Sequence, residues 1–295
     1  MPTAADASIV VRTVLLTTVA MCAFAANSLL CRLALQHASI DPASFASIRL
    51  VSGALALALI VRMKPGRSAP GRADWLAAAM LFAYVAFFSF AYLTLSAGTG
   101  ALILFGAVQV TMFSAGLRSG ETFRPMAWIG LVLAAAGLVY LVSPGLSAPP
   151  LLGAVSMAAA GAAWGVYSLR GRGITDPLAA TAGNFLRAAP FALVLSGLLA
   201  ARVHADAAGV ALAVASGALT SGIGYVIWFA ALNGLSAMRA ATVQLSVPPI
   251  AAFGGALLLS EAITPRLAWA SAVILGGIAL VMTSRSRGAL ARRQA

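Results

Sequence analysis

Four stretches of this chain, Trp75–Leu117, Pro125–Leu169, Ala207–Met238 and Ala240–Ser260, contain no Asp, Glu, Lys or Arg. A helix that crosses the hydrocarbon core of a bilayer needs only about 20 such residues. The longer runs are interrupted by Gly, Pro and Ser, so each reads as two spans joined by a short turn. Of the 295 residues, 61% are hydrophobic and 9% charged. Soluble domains hold roughly 45–50% apolar and about 25% charged residues, so this chain lacks the polar surface to cover a fold in water. A closed barrel would alternate polar and apolar positions, and these runs do not. The chain is read as an all-α integral membrane protein.

Ten spans are expected, at about 12–36, 42–62, 74–96, 99–117, 126–143, 150–169, 177–200, 208–233, 238–259 and 266–284. Arg12, the apolar run after it and Ala23-Phe24-Ala25 have the form of a secretory leader with a cleavage site. Apolar character nevertheless continues through Leu35, and the first segment is read as an uncleaved span. Basic residues orient the bundle. Of the 19 Lys and Arg, fourteen fall on the side that holds both termini, and Arg32, Arg202 and Arg266 fall on the other. Both termini are therefore expected in the cytoplasm, with the chain in a bacterial inner membrane. The net charge of +12 is topological, because the positives cluster between apolar spans, and no nucleic-acid partner is expected.

The chain also repeats itself. Glu121 precedes Pro125 by four residues, as Glu261 precedes Pro265, and the same offset relates Leu95-Ser96-Ala97 to Leu235-Ser236-Ala237. Asp41-Pro42 likewise pairs with Asp176-Pro177. The repeats divide the chain into residues 1–145 and 146–295, five spans each. An odd number of spans per repeat gives the halves opposite orientation, the inverted-repeat arrangement of secondary transporters, around a central cavity.

Arg49 and Arg187 are the strongest chemical signals. They lie roughly 12 and 16 Å into the second span of each half, counted from the helix starts. A charge at that depth costs at least about 2.5 kcal/mol unless it meets a cavity or a partner. Each side chain either faces a substrate, for which a carboxylate is the natural complement, or snorkels to a headgroup region. Arg32, one turn from the end of its span, is read as snorkelling. Asn27, Gln109 and Gln244 place amides within spans, to hold helices together or to hold substrate. Tyr84, Phe88 and Tyr92 share one helix face, and Trp164, Tyr167, Tyr225 and Trp228 form further aromatic patches. Singly such rings face lipid; together they suit a flat amphipathic ligand. Pro248, in Val247-Pro248-Pro249-Ile250, is expected to kink the ninth span at its middle.

Glu121 and Glu261, at span ends, read as ordinary capping carboxylates. Nothing points to catalysis: there is no nucleophile motif, no acid pair at mid-membrane and no Walker sequence. Cys22 and Cys31 fall on opposite faces of one helix, and His37 and His204 are the only histidines. No metal or cofactor is therefore expected.

Ala26-Asn27-Ser28-Leu29-Leu30-Cys31-Arg32-Leu33, with Pro42 and Ala46-Ser47-Ile48-Arg49-Leu50, resembles the opening helix pair of the EamA branch of the drug/metabolite transporter superfamily. Val247-Pro248-Pro249-Ile250 through Leu259-Ser260-Glu261 resembles the ninth-helix ending of that family, and Ser119-Gly120-Glu121 its first-half equivalent. Ala25-Ala26 replaces the usual Trp-Gly, and the first half lacks a counterpart of Pro248. The resemblance implies ten helices in two inverted repeats, a cavity formed by helices 1–4 and 6–9, and export of small molecules. Within the superfamily the chain is most similar to YddG-type exporters of aromatic amino acids. Multidrug or nucleotide-sugar carriage and a non-transporting membrane protein are the alternatives.

Overall fold

A computed structural model describes residues 4–63, 74–118, 125–143, 148–233, 235, 240 and 243–283. Glu121, Lys64 and most of the terminal and loop arginines lie outside these residues.

Apolar runs become helices because every backbone polar group in lipid must be satisfied within its own segment. The principal helices are α1 (Ala4–Gln36), α2 (Pro42–Met63), α3 (Trp75–Ala91), α4 (Ala97–Arg118), α5 (Pro125–Val142), α6 (Leu151–Arg170), α7 (Pro177–Leu198), α8 (Ala207–Leu232), α9 (Val247–Leu258) and α10 (Pro265–Thr283). Six are long and apolar enough to cross a membrane, and α3, α9 and Pro125–Leu141 of α5 are shorter apolar helices. The outer surface suits lipid: Leu152 is 81% exposed and Leu198 79%, a placement that water would penalise.

Four helix starts share one device. Asp41, Asp74, Asp176 and Asp206 each accept a hydrogen bond from a first-turn amide, at Ser44, Ala77, Ala179 and Gly209 respectively. An aspartate N-cap followed by proline at the first helical position starts a helix efficiently, which explains the repeated Asp-Pro pair. At Asp41, burial works to raise the carboxyl pKa. Hydrogen bonds from Ser44, His204 and Ala43 outweigh it and hold the pKa below the ordinary value.

Small residues let the helices approach closely. A Cβ on Gly217 of α8 would collide with the Arg49 carbonyl oxygen of α2, and one on Gly161 of α6 with the Leu104 carbonyl oxygen of α4. Helices α2 and α7 are fastened at one end only. There the Ser47 hydroxyl lies 2.8 Å from the Ala192 carbonyl and 2.7 Å from the Ser196 hydroxyl, which also donates to the Ala43 carbonyl. Helix α5 packs along α10, α6 against α3 and α4, and α1 against α8 and α9.

Two expectations change. The prolines begin a helical segment rather than bend a continuous one: Val247-Pro248-Pro249 forms the first turn of α9, directly after helical Val243-Gln244 and a turn at Leu245-Ser246 in the same span, and a missing N–H there costs nothing. Helix α8 is irregular at its centre, where Ser216–Ile223 winds as a π-helix. Such wide turns recur at functional sites, and nothing in the local sequence announced this one.

Candidate functional site

Arg49 is fully buried at the junction of α2, α3 and α8. Its Nε donates to the Ser221 hydroxyl at 2.8 Å, and its Nη2 to the hydroxyls of Tyr84 at 3.1 Å and Tyr225 at 2.8 Å. The guanidinium carbon stands 5.2 Å from the Tyr84 ring centre and 4.9 Å from that of Phe88. Ion pairs join Arg32 to Glu261 and Arg170 to Asp74, and among the described residues no carboxylate is paired with Arg49. Its Nη1 has no hydrogen-bond partner.

The π-helix supplies the other half of this arrangement. Ser216, Thr220 and Ser221 all donate to one atom, Asn27 Oδ1 of α1, at 2.8, 2.5 and 3.2 Å. An ordinary α-turn would not bring all three hydroxyls to one side of the helix. The orientation of the amide follows from the network: Arg49 donates to Ser221, whose own proton then points to Oδ1. Asn27 Nδ2 is left buried and unpaired.

Aromatic rings enclose these groups. Trp164 lies 4.7 Å from Tyr225, 5.0 Å from Tyr84 and 5.2 Å from Phe24, centre to centre. Its Nε1 donates to Gln244 Oε1 at 3.0 Å. Phe24 also packs edge-on to Trp228 at 5.6 Å, and the Trp228 Nε1 is buried without a partner. Phe88 and Tyr92 extend the cluster along α3, 4.7 Å apart. The rings pack on one another, so the site is closed around Arg49.

A crevice of about 1480 Å³ opens nearby. It lies where α2 and α7 splay apart and is bounded by Arg62, Asp74, Tyr167, Arg170, Asn184 and Arg187 among others. Tyr167 stands between the crevice and the Arg49 cluster: it lines the crevice and its ring is 6.3 Å from that of Tyr225. Arg187 is on the crevice side, its guanidinium 6.0 Å from the Trp75 ring centre. The two arginines that sequence placed on equivalent helices thus occupy different environments. Gln109 is buried on α4 and Pro248 at the start of α9.

The end of the bundle remote from the crevice is clasped twice. The first clasp joins the α1–α2 turn to the segment before α8. Ile40 and Ala205 form an antiparallel bridge, Asp41 N–H donates to the His204 carbonyl at 2.9 Å and Asp206 N–H to that of Ser39 at 2.8 Å. The second clasp corrects the reading of Arg32 as a snorkelling side chain. Its Nε is 3.0 Å from Glu261 Oε1, and its Nη1 donates to the Tyr92 and Leu93 carbonyls. The second oxygen of Glu261 accepts from Ala97 N–H at 2.8 Å. Glu261 therefore caps α4, a helix far from it in sequence, where a carboxylate meets unpaired amides. Ser260, at φ 54°, turns the chain at the end of α9, and Glu261 N–H closes on the Gly255 carbonyl.

Sequence reasoning missed Phe24, Ser216, Thr220 and Ser221. Isolated hydroxyls and a phenylalanine in apolar spans carry no periodic signal. Only their convergence on Asn27 and Trp164 marks them.

A profile of the EamA-like transporter family matches residues 11–143 and again 151–283. The chain belongs to that family. The two matches make it a duplicated, multi-pass membrane transporter. A Pseudomonas aeruginosa protein described only as uncharacterized is 54% identical over 274 residues, covering 93% of this chain and 96% of its own. A crystal structure whose description gives no function superposes with a TM-score of 0.67 at 19% identity. It covers 91% of this chain and 96% of that one, a likeness of fold alone.

Proposed function

We propose that this EamA transporter exports small carboxylate-bearing metabolites, with amino acids of aromatic or other neutral side chain as the leading class, by alternating access across a bacterial inner membrane. The observation that carries the reading is Arg49: wholly buried, without a counter-ion, one nitrogen unpaired, and walled by aromatic rings. An isolated buried charge is tolerated where a partner arrives in the working cycle. A substrate carboxylate is that partner, and the rings hold the remainder of the molecule.

With both termini in the cytoplasm, the crevice faces the cytoplasm and the Arg32–Glu261 clasp closes the outer end. Cargo enters between α2 and α7, passes Tyr167 and reaches Arg49; release outward requires both clasps to part. The two halves, 1–145 and 146–295, exchange roles as inverted repeats. A carrier of nucleotide sugars would present several cations to the phosphates, whereas among the described residues one arginine, Arg49, stands within the ring cluster.

Counterflow in proteoliposomes with a panel of amino acids tests the assignment. Exchange of aromatic members, abolished by Arg49→Met, is expected. Methionine fills similar volume without a charge, a replacement that leaves stability near or above that of the parent. Failure of every amino acid to exchange in active protein removes the cargo class, and unaltered exchange in Arg49→Met removes Arg49 from the site.

A further inference from the structure

The closed chamber formed by Arg49 and the groups packed round it holds more free hydrogen-bond donors than free amide acceptors. Arg49 Nη1, Asn27 Nδ2 and Trp228 Nε1 are each buried, in residues at most 1% exposed, and none has a partner. The Tyr84 hydroxyl receives bonds from Arg49 and from Tyr225, the latter at 3.3 Å, and so keeps its own hydrogen to give. The side-chain amide acceptors are already occupied, and the unpartnered oxygens nearby are the Tyr167 and Ser168 hydroxyls. Asn27 Oδ1 takes three hydroxyls, and Gln244 Oε1 takes the Trp164 indole.

Acidic groups are equally remote. Asp41, Asp74, Asp176 and Asp206 cap helix starts, and Glu261 is held by Arg32 and Ala97. Among the described residues no carboxylate reaches the chamber, which carries one uncompensated positive charge.

This distribution discriminates between two parts of an amino acid. A carboxylate only accepts hydrogen bonds, and it complements the surplus of donors. An α-ammonium offers three donors and no acceptor, and would be buried beside the like charge of Arg49, where Asn27 Oδ1 and Gln244 Oε1 already hold their bonds. Aromatic faces can hold a cation, but those of Tyr84 and Phe88 already carry Arg49.

We propose that the chamber selects net-anionic carboxylates over zwitterions, so that an aromatic acid lacking the ammonium group is preferred to the amino acid with the same ring. This rests on the placement of a carboxylate at Arg49 and narrows the cargo class.

The matched probes are 3-phenylpropionate and L-phenylalanine, which share ring, chain length and carboxylate. Affinity is measured by calorimetry on the purified full chain, and exchange by counterflow. The acid is expected to bind at least about tenfold more tightly, a difference of about 1.4 kcal/mol. Asn27→Asp keeps an oxygen for the three hydroxyls and replaces the free donor by a negative charge, so it is expected to shrink or reverse that preference. Trp228→Phe removes one donor while keeping a ring, and is expected to weaken the acid more than the amino acid.

Equal or tighter binding of L-phenylalanine overturns the selection while leaving an Arg49-dependent amino acid exporter intact. An acid preference untouched by both substitutions, in variants that melt near the parent temperature, overturns its assignment to these donors. Silence of both probes in protein that exchanges another solute overturns the carboxylate site itself.

Discussion

Replacing Glu261 by alanine removes two charge-assisted hydrogen bonds at once. Arg32 loses its ion-pair partner at 3.0 Å, and the Ala97 amide loses its acceptor at 2.8 Å. The side chains of Arg32 and Glu261 are 19% and 12% exposed, between the extremes for which ion-pair energies are known. Breaking a fully buried pair costs roughly 3–5 kcal/mol and an exposed pair 0–1; a lost helix cap costs about 1. Arg32 keeps the Tyr92 and Leu93 carbonyls, which softens the loss. The clasp thus stabilises closure of the end remote from the crevice by about 2–3 kcal/mol, and its removal shifts the closed-to-open ratio by a factor of about 30–150.

Cys31 reports this shift. It is fully buried and adjoins Arg32, whereas Cys22 is exposed. In a Cys22→Ser background in proteoliposomes, labelling of Cys31 by a charged maleimide is expected to accelerate by about that factor in Glu261→Ala. Glu261→Gln keeps an acceptor for Ala97 and should give a smaller increase. The exchanged pair Arg32→Glu with Glu261→Arg restores attraction but not the cap, so it should recover only part of the closure. Labelling that is equally slow in parent, Glu261→Gln and Glu261→Ala would refute the clasp as a determinant of outer closure.

Gly217→Val introduces branched carbon into the contact with the Arg49 carbonyl and the Ser52 hydroxyl. Overpacking of this kind costs about 1–3 kcal/mol, read as a lower melting temperature and weaker probe binding, whereas Gly197→Ala, with open space around it, should melt at or near the parent temperature. Acid should loosen both ends of the bundle. Burial works to raise Asp74, but its hydrogen bond with Arg170 prevails, and both Asp74 and Asp41 titrate below the ordinary carboxylate value. Folded-state pKa values below the unfolded value of about 3.9 contribute stability that is complete above it and is lost as pH falls through the folded value. The melting temperature should therefore be level from about pH 5 to 7 and drop below about pH 4. The drop should be shallower in Asp41→Asn with Asp74→Asn, and an identical acid limb would show that other groups set it.

How much was legible in advance varied by residue. The apolar runs and the aspartate starts are local, because lipid and orphaned amides act on each segment separately; the helices consequently begin at Pro42 and Pro177, as the Asp-Pro pairs indicated. Arg49 was conspicuous because a charge in an apolar span violates the pattern. Its neighbours were not. Ser221 is 172 residues away along the chain, and a serine among alanines carries no mark of the arginine it will meet. The form of the break at the prolines 248 and 249 was hidden for a related reason. Their effect on a helix is certain, but whether they interrupt or begin it depends on where the neighbouring segment stops.

Glu261 shows the division most clearly. Composition and spacing placed it at the end of a span, where a carboxylate usually serves its own helix. In the folded chain it serves α4 and Arg32 instead, because α9 ends beside α1 and the start of α4 only after the two halves have packed. From sequence come the membrane, the number of spans, the aspartate-capped helix starts and the two arginines within spans, all set by the solvent and by neighbours within a turn or two. The tertiary structure decided which groups meet Arg49, which carboxylate fastens the end of the bundle remote from the crevice and which donors remain unpaired. Those depend on contacts between segments that share no local signal and are selected by packing alone.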